Sequence, residues 1–299
     1  MNKYSILYKT LARALSMKRP SRIDIGYTGQ VGLTGAAFFT DWLIDNIPDH
    51  LTSMTWIDGA GNLHIDARTN DDNTTLFVAH VDTVHHDTGA NKIIKTRGTW
   101  MADGAPLGAD DGAGCALLMH MLHKGVAAYY IFTQGEECGG IGASHLAAHH
   151  ADLLCEFDRA IAFDRRGTDS IITHQAYGQC CSDLFADALA DGLNMASSKF
   201  MYSPDDTGVY TDTAEFTDYI PECTNISVGY YNEHSDRESL NVTHLGRLSR
   251  AVLLVDWDNL PTERIAGNDA GPDLLMADFK QTWYSLDGIE YDMNDVRDH

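Results

Sequence analysis

Short apolar runs and helically spaced apolar faces follow one another along the chain. TTLFVAH (74–80), AAYYIFT (127–133), AIAFD (160–164) and NISVGYY (225–231) are short enough and apolar enough for strands buried on both faces. MTWIDGAGNLHIDA (54–67) reads as two short strands around a glycine-containing turn. Between these runs, TGAAFFTDWLIDNI (34–47), GAGCALLMHMLHKG (112–125), ASHLAAHHADLL (143–154) and THLGRLSRAVLLVDWDNL (243–260) carry apolar residues at helical spacing. Gly125 stands where a helix C′ glycine belongs. The opening stretch, MNKYSILYKTLARALSMKRPSR, predicts a basic amphipathic helix. Strands alternating with helices predict an α/β fold, a mostly parallel mixed sheet with helices on both faces in three layers. No internal repeat or low-complexity segment interrupts it. The expected organisation is one catalytic domain over 1–299, with an N-terminal helical segment (1–50) and an acidic C-terminal extension (261–299).

Composition narrows the partners. The chain carries 21 Lys and Arg against 43 Asp and Glu, a net charge of −22, which argues against nucleic acid because phosphate binding needs clustered cations. Six of the cations (Lys3, Lys9, Arg13, Lys18, Arg19, Arg22) precede the first acid, Asp24, so the remainder is more acidic still and suits cationic substrates or metal ions. No apolar run reaches the eighteen or so residues of a membrane span. The basic N-terminus lacks the apolar core and cleavage site of a secretory signal. It fits a helix packed on the domain, with a mitochondrial-type presequence as the alternative. The cysteines (115, 138, 155, 180, 181, 223) show no CxxC spacing, so neither a disulfide framework nor a cysteine zinc site is expected, and a reducing, cytoplasmic setting is.

Chemistry collects where the apolar runs end. TTLFVAH leads into His80 and Asp82; AAYYIFT into Glu136 and Glu137; AIAFD ends on Asp164; NISVGYY leads to His234. LGADDGAG (107–114) places Asp110 and Asp111 on a glycine-rich turn that opens a helix. Ligands of open α/β sheets gather beyond the carboxyl ends of the strands, so these residues are expected on one rim. Imidazoles and carboxylates without cysteine suit zinc, cobalt or manganese. The surplus of donors over one site predicts two metals sharing a bridging carboxylate, roughly 3.5–4 Å apart.

Each residue alone has a plainer reading. His80 is an ordinary strand-end histidine, ADDG a turn, GEE a solvated loop; Asp164 pairs with Arg165 or Arg166, and His234 sits on the surface near Glu233. Their order, each at a strand end, is what the plain readings leave unexplained. His85 and His86 are expected to be exposed or on a pocket rim.

In that order, HVDTV, LGADDGAG, TQGEECGG, AFDRRG and NISVGYYNEH resemble the metal-site motifs of the co-catalytic zinc peptidases, the clan of the M28 aminopeptidases, the M42 peptidases and the M20 carboxypeptidases, tripeptidases and deacetylases. The resemblance covers about residues 54–260. It implies the zinc-exopeptidase fold and two Zn2+, with Co2+ or Mn2+ as substitutes. It implies that His80 and Asp164 bind one metal, Glu137 and His234 the other, and that Asp110 bridges them across a cis Asp110–Asp111 peptide. Asp82 would support His80, and Glu136 would be the general base. TDTAEF resembles a loop lining the substrate pocket, which makes Asp212 a substrate-binding candidate. Tyr230 and Tyr231 are candidates for its wall, with core packing as the alternative. M20 enzymes insert a lid or dimerisation domain for which residues 164 and 234, only seventy positions apart, leave too little chain. M42 enzymes insert one near the bridging aspartate, where 82–110 has no room. The pattern thus points to a single-domain, M28-like aminopeptidase acting on peptides, with homo-oligomers allowed. The alternatives are an M20-like amidohydrolase acting on peptides or N-acyl amino acids, and a non-catalytic binding member of the fold.

Overall fold

The computed structural model describes residues 5–21, 34–176 and 178–267. At its centre lies an eight-stranded sheet. Its strands are β1 (Thr55–Ile57), β2 (Leu63–Asp66), β3 (Thr75–His80), β4 (Tyr129–Thr133), β5 (Arg159–Arg165), β6 (Ser170–Ile172), β7 (Ser203–Asp205) and β8 (Glu222–Ser227). The spatial order is β7-β6-β8-β5-β3-β4-β2-β1. The middle four strands run parallel, and antiparallel pairs join them to both flanks.

Alternation along the strands divides the apolar residues into two cores. Phe77 and Ala79 of β3, with Tyr130 and Phe132 of β4, face one side. Leu76, Val78, Tyr129 and Ile131 face the other. The first side is covered by α1 (Ile6–Leu15), α2 (Gly35–Ile44), α3 (Ala109–His123), α6 (Asp183–Met195) and α7 (Val242–Ala251); the second by α4 (Ile141–His149) and α5 (Ala151–Leu154). The three predicted layers are therefore present. Fully burying an aromatic such as Phe77 or Phe132 contributes about 1.5–3 kcal/mol, so the middle strands anchor the rim.

The basic opening segment docks. Leu7, Leu11, Ala14 and Leu15 are buried, and α1 packs on α3. Gly125 ends α3 with φ 74, and Val126 N–H reaches back to the Met121 carbonyl in a Schellman closure.

Three predicted elements differ. NISVGYY breaks after Ser227: Gly229 turns with φ 109, and Tyr230–Tyr231 joins a separate four-stranded sheet with Ser239–Asn241, Thr99–Ala102 and Ile93–Lys95. The 143–154 helix divides at His150, whose φ of −128 leaves the helical region. The last helix stops at Ala251, and Trp257–Asn259 is a separate 3₁₀ turn. Helix α6 lies in a stretch for which the pattern reading proposes no element, although Ser182 caps it and Phe185, Leu189 and Leu193 form its buried stripe. Of the proposed acidic extension, the stretch 261–267 is tied to the body by Glu263 and Arg264 N–H groups on Glu222; 268–299 lie outside the described residues. Among the described residues, no helix is long and apolar enough to cross a membrane.

Candidate metal centre

The register of the parallel strands sets the rim. Val78 pairs with Ala162, so two residues further on His80 and Asp164 leave the sheet side by side. Asp110 stands at the start of α3, joined to Asp111 by a cis peptide. Glu137 lies in the 3₁₀ turn Glu136–Cys138 between β4 and α4, and Gly135 (φ 72) and Gly139 (φ 94) turn the chain at either end of it. His234 sits in the loop joining Tyr230–Tyr231 to Ser239–Asn241, in the left-handed region at φ 60. A non-glycine residue there costs on the order of 1–3 kcal/mol, and such positions cluster at functional sites.

The donors form two groups that share Asp110. Its Oδ1 lies 3.0 Å from His80 Nε2, which is 3.6 Å from Asp164 Oδ1. Its Oδ2 lies 3.0 Å from His234 Nε2, itself 3.1 Å from Glu137 Oε2. Within each triad, His80–Asp110–Asp164 and Asp110–Glu137–His234, the donor atoms fall within 4.8 Å of one another, close enough to hold a cation.

A second ring of contacts fixes these donors. Asp82, fully buried, accepts the N–H groups of Gly135 (3.0 Å), Glu136 (3.2 Å) and Glu137 (3.2 Å), so it braces the whole GEE turn. Its Oδ1 is also 3.5 Å from His80 Nδ1. Glu238, also buried, accepts the N–H groups of Gly108 (2.9 Å), Ala109 (2.7 Å) and Asp110 (3.1 Å). Arg19, fully buried, donates to the carbonyls of Val81 (2.7 Å), Ala14 (2.6 Å) and Gly108 (3.0 Å), tying the end of the N-terminal helix to two of the donor loops. Asp164 receives Thr211 Oγ1–H at 2.8 Å. Asp111 accepts Gly114 N–H at 2.8 Å, and a side chain at Gly114 would collide with that carboxylate.

Charge is in excess. Burial, with the neighbouring Asp110, pushes Asp164 up to about 6. Burial lifts Glu136 well above its usual range, with Asp164, Asp212 and Glu137 adding to it. Burial works against protonation of His80, but Asp164 and Asp110 outweigh it and raise the ring well above its ordinary value. Hydrogen bonds to Asp110 and Glu137 carry His234 to about 11. The acids thus draw positive charge to each group. Glu137 Oε1 and His80 Nδ1 are buried without a hydrogen-bond partner. Two imidazoles, three carboxylates and an orphaned carboxylate oxygen fit a pair of cations of the zinc, cobalt or manganese type.

The remaining candidates separate. Asp212 is 1% exposed and receives the Thr133 hydroxyl, while its Oδ1 lacks a partner; burial lifts it to about 7. Tyr230 is buried and donates to the Asp164 carbonyl (2.9 Å) and carboxylate (3.1 Å), so it supports a donor from below. Only Tyr231 of the three is open, at 41% exposure. Arg165 and Arg166 pair with Asp205 and Glu233, leaving Asp164 and His234 to the centre. His85 is not on an exposed rim: it is buried between Thr83 Oγ1 (2.7 Å) and the Pro106 carbonyl (3.0 Å); His86 is exposed. Sequence reasoning missed Glu238 and Arg19. The only signal for Glu238 is its position four residues after His234.

The fold is that of known peptidases. Aminopeptidase PepT of Bacillus cereus ATCC 10987 superposes with a TM-score of 0.64 at 16% identity, over 86% of this chain and 99% of its own. A tripeptidase of Staphylococcus aureus gives 0.63 at 15%, over 85% and 97%. The TET1 peptidase of Pyrococcus horikoshii gives 0.55 at 15%, over 84% and 99%. No curated protein sequence matches the chain. Residues 62–254 match the model of "Peptidase family M28". That span exceeds half of the chain and holds every donor named above, so the chain belongs to peptidase family M28.

Proposed function

We propose that this peptide-bond hydrolase is a two-metal exopeptidase, and specifically an aminopeptidase. The observation that carries the reading is the division of Asp110, one oxygen beside His80 and Asp164 and the other beside His234 and Glu137. In this reading His80 and Asp164 hold one cation, Glu137 and His234 the other, and Asp110 bridges them. Bound cations of this kind polarise a scissile carbonyl and make water nucleophilic at neutral pH.

Glu136 belongs to neither donor triad. Its N–H is fixed on Asp82, and its carboxylate lies near enough to His80 and Asp164 to feel their charge. There it accepts the proton of the attacking water and passes it to the departing amine. The surplus of acids favours a substrate that brings an ammonium group. Of the three arginines that could receive a C-terminal carboxylate, Arg165 and Arg166 are engaged with Asp205 and Glu233, and Arg237, exposed on the His234 loop, is the one whose replacement tests the carboxypeptidase alternative. Tyr231, an exposed aromatic on the His234 hairpin, is the proposed substrate contact. The TET1 neighbour assembles into a tetrahedron or octahedral shell, which supports a search for homo-oligomers here.

Hydrolysis of aminoacyl-anilides, peptides and N-acyl amino acids with added zinc, cobalt or manganese tests the reading. The wild type should release N-terminal residues, and Glu136→Ala should lose activity while keeping its metal. Turnover of N-acyl amino acids alone would replace the aminopeptidase by an amidohydrolase; inertness on every substrate with every metal would end the enzymatic reading.

A further inference from the structure

A second set of metal-type donors stands apart from the centre, between the β1–β2 turn and helix α4. Asp58, His145 and His150 bring one ligand atom each to within 4.8 Å of one another. The turn is shaped for this. Asp58 Oδ1 accepts the N–H groups of Ala60 and Asn62, both at 2.9 Å, and its Oδ2 accepts Asn62 Nδ2–H at 2.7 Å. Gly59 lets the helix approach: a Cβ there would stand 3.3 Å from His145 Nε2. The rings of His145 and His150 are 5.7 Å apart. Among the described residues, no protein group hydrogen-bonds the ring nitrogens of either histidine.

A chain of hydrogen bonds prepares the carboxylate. Trp56 Nε1–H donates to the Tyr129 hydroxyl at 3.2 Å, and that hydroxyl lies 3.2 Å from His64 Nδ1. Asp58 accepts N–H groups on both oxygens, as an ionised carboxylate does, so His64 donates Nε2–H to its Oδ2 at 3.3 Å, and Nδ1 is left to accept the tyrosine proton. A buried imidazole donating to a ligating carboxylate is the kind of outer contact that orients a metal ligand.

From this geometry we propose that Asp58, His145 and His150 form a further divalent-metal site of the zinc type, separate from the Asp110 centre. Two imidazoles and a carboxylate make a three-ligand zinc set, with water completing four-coordination. Zinc–donor bonds of about 2.0–2.2 Å place tetrahedral donors roughly 3.4 Å apart, so donors that lie within 4.8 Å of one another need to close by about 1.4 Å at most. The ion staples the turn to α4. The same turn holds the catalytic loop, because Asn62 Oδ1 accepts Gln134 N–H at 2.9 Å and Asn62 Nδ2 donates to the Gly142 carbonyl at 3.0 Å.

The test uses the full-length chain, loaded with micromolar zinc, dialysed and assayed for metal. The double variant His145→Gln/His150→Gln should hold one equivalent less than wild type, with its hydrolytic activity retained and its melting temperature in chelator unchanged. The readout is the difference, so it stands whatever number of ions the catalytic centre holds. Equal metal content in the two proteins, or a loss of more than one equivalent, overturns the site. A second measurement leaves the ligands intact. Trp56 stacks on His64 at 3.8 Å and lies 5.5 Å from the His150 ring. Cobalt titration should therefore quench a tryptophan component that Trp56→Phe lacks; identical quenching curves for the two proteins overturn the proposal.

Discussion

Asp82→Asn changes one atom of a fully buried side chain, and its consequences can be worked through. Asp82 Oδ1 accepts two N–H groups, from Gly135 and Glu136, and Oδ2 accepts the third, from Glu137. An asparagine keeps two of the three by placing its oxygen where Oδ1 stands. Its amide nitrogen then faces Glu137 N–H, donor against donor. A hydrogen bond to a charged group contributes about 1.5–3 kcal/mol, and the two retained bonds become neutral ones of about 1 kcal/mol. The net loss is about 2.5–7 kcal/mol, concentrated on the turn that carries both Glu136 and Glu137. Much of it should appear as loosened geometry, because outer partners of metal ligands typically cost 10–100-fold on removal. Steady-state kinetics on an aminoacyl-anilide should show kcat reduced roughly 10–100-fold with KM little changed. Chemical denaturation should show a stability loss of about 2.5–7 kcal/mol. Asp82→Ala leaves all three donors without the carboxylate and should be worse on both counts. Wild-type kcat in Asp82→Asn, with stability reduced as expected, would refute the idea that this carboxylate acts on catalysis through the turn.

Three further outcomes follow from the same contacts. Asp110→Ala should abolish tight binding at both cation positions, and retention of two equivalents at the catalytic centre in a metal assay would sink its bridging role. Glu238→Ala strands three backbone N–H groups at the head of α3, at about 1–3 kcal/mol each when buried; metal affinity should fall with stability, whereas wild-type affinity measured at pH 8 would leave Glu238 a purely structural cap. Asp58 lies below its unfolded value of 3.8, at about 2. Its contribution of about 2 kcal/mol is therefore complete above pH 4 and lost as the pH falls through 2. Denaturation of Asp58→Asn in chelator should show that deficit at pH 7 and a shrinking one towards pH 2; a deficit constant with pH would contradict it.

What the sequence made legible was the chemistry that sits at strand ends. His80, Asp110, Glu137, Asp164 and His234 are all adjacent to a recognisable apolar run or glycine turn, and parallel pairing does the rest by delivering the ends to one rim. What stayed hidden acts through the backbone. Asp82 is readable as a partner of His80, but its principal contacts are N–H groups 53–55 residues away, which carry no side-chain signature. Glu238 and Arg19 fail for a related reason. Each looks like part of a solvated charged stretch, and only the fold brings three carbonyls to the guanidinium and three amides to the carboxylate. Asp212 and Tyr230 lie near a pocket motif, but their buried side chains meet Thr133 and Asp164, contacts with no mark in the sequence. The strand break at Gly229 was visible as a glycine, but its role in passing the chain to another sheet depends on where that sheet lies.

Arg19 also bears on the order in which the molecule assembles. Its bonds to Val81 and Gly108 close loops of 62 and 89 residues, and Glu238 reaches Gly108 across 130. Contacts of such long sequence separation form late in folding, since loop-closure entropy must be met before they are made. Helices such as α3 and the local hairpin β1–β2 can form while the rim is still open. During synthesis, the support beneath Asp110 is incomplete until residue 238 has emerged, so a nascent chain can hold a folded sheet and yet have an unfinished centre. The amides of residues 108–110 should accordingly be among the last in the body to gain protection from hydrogen exchange during refolding.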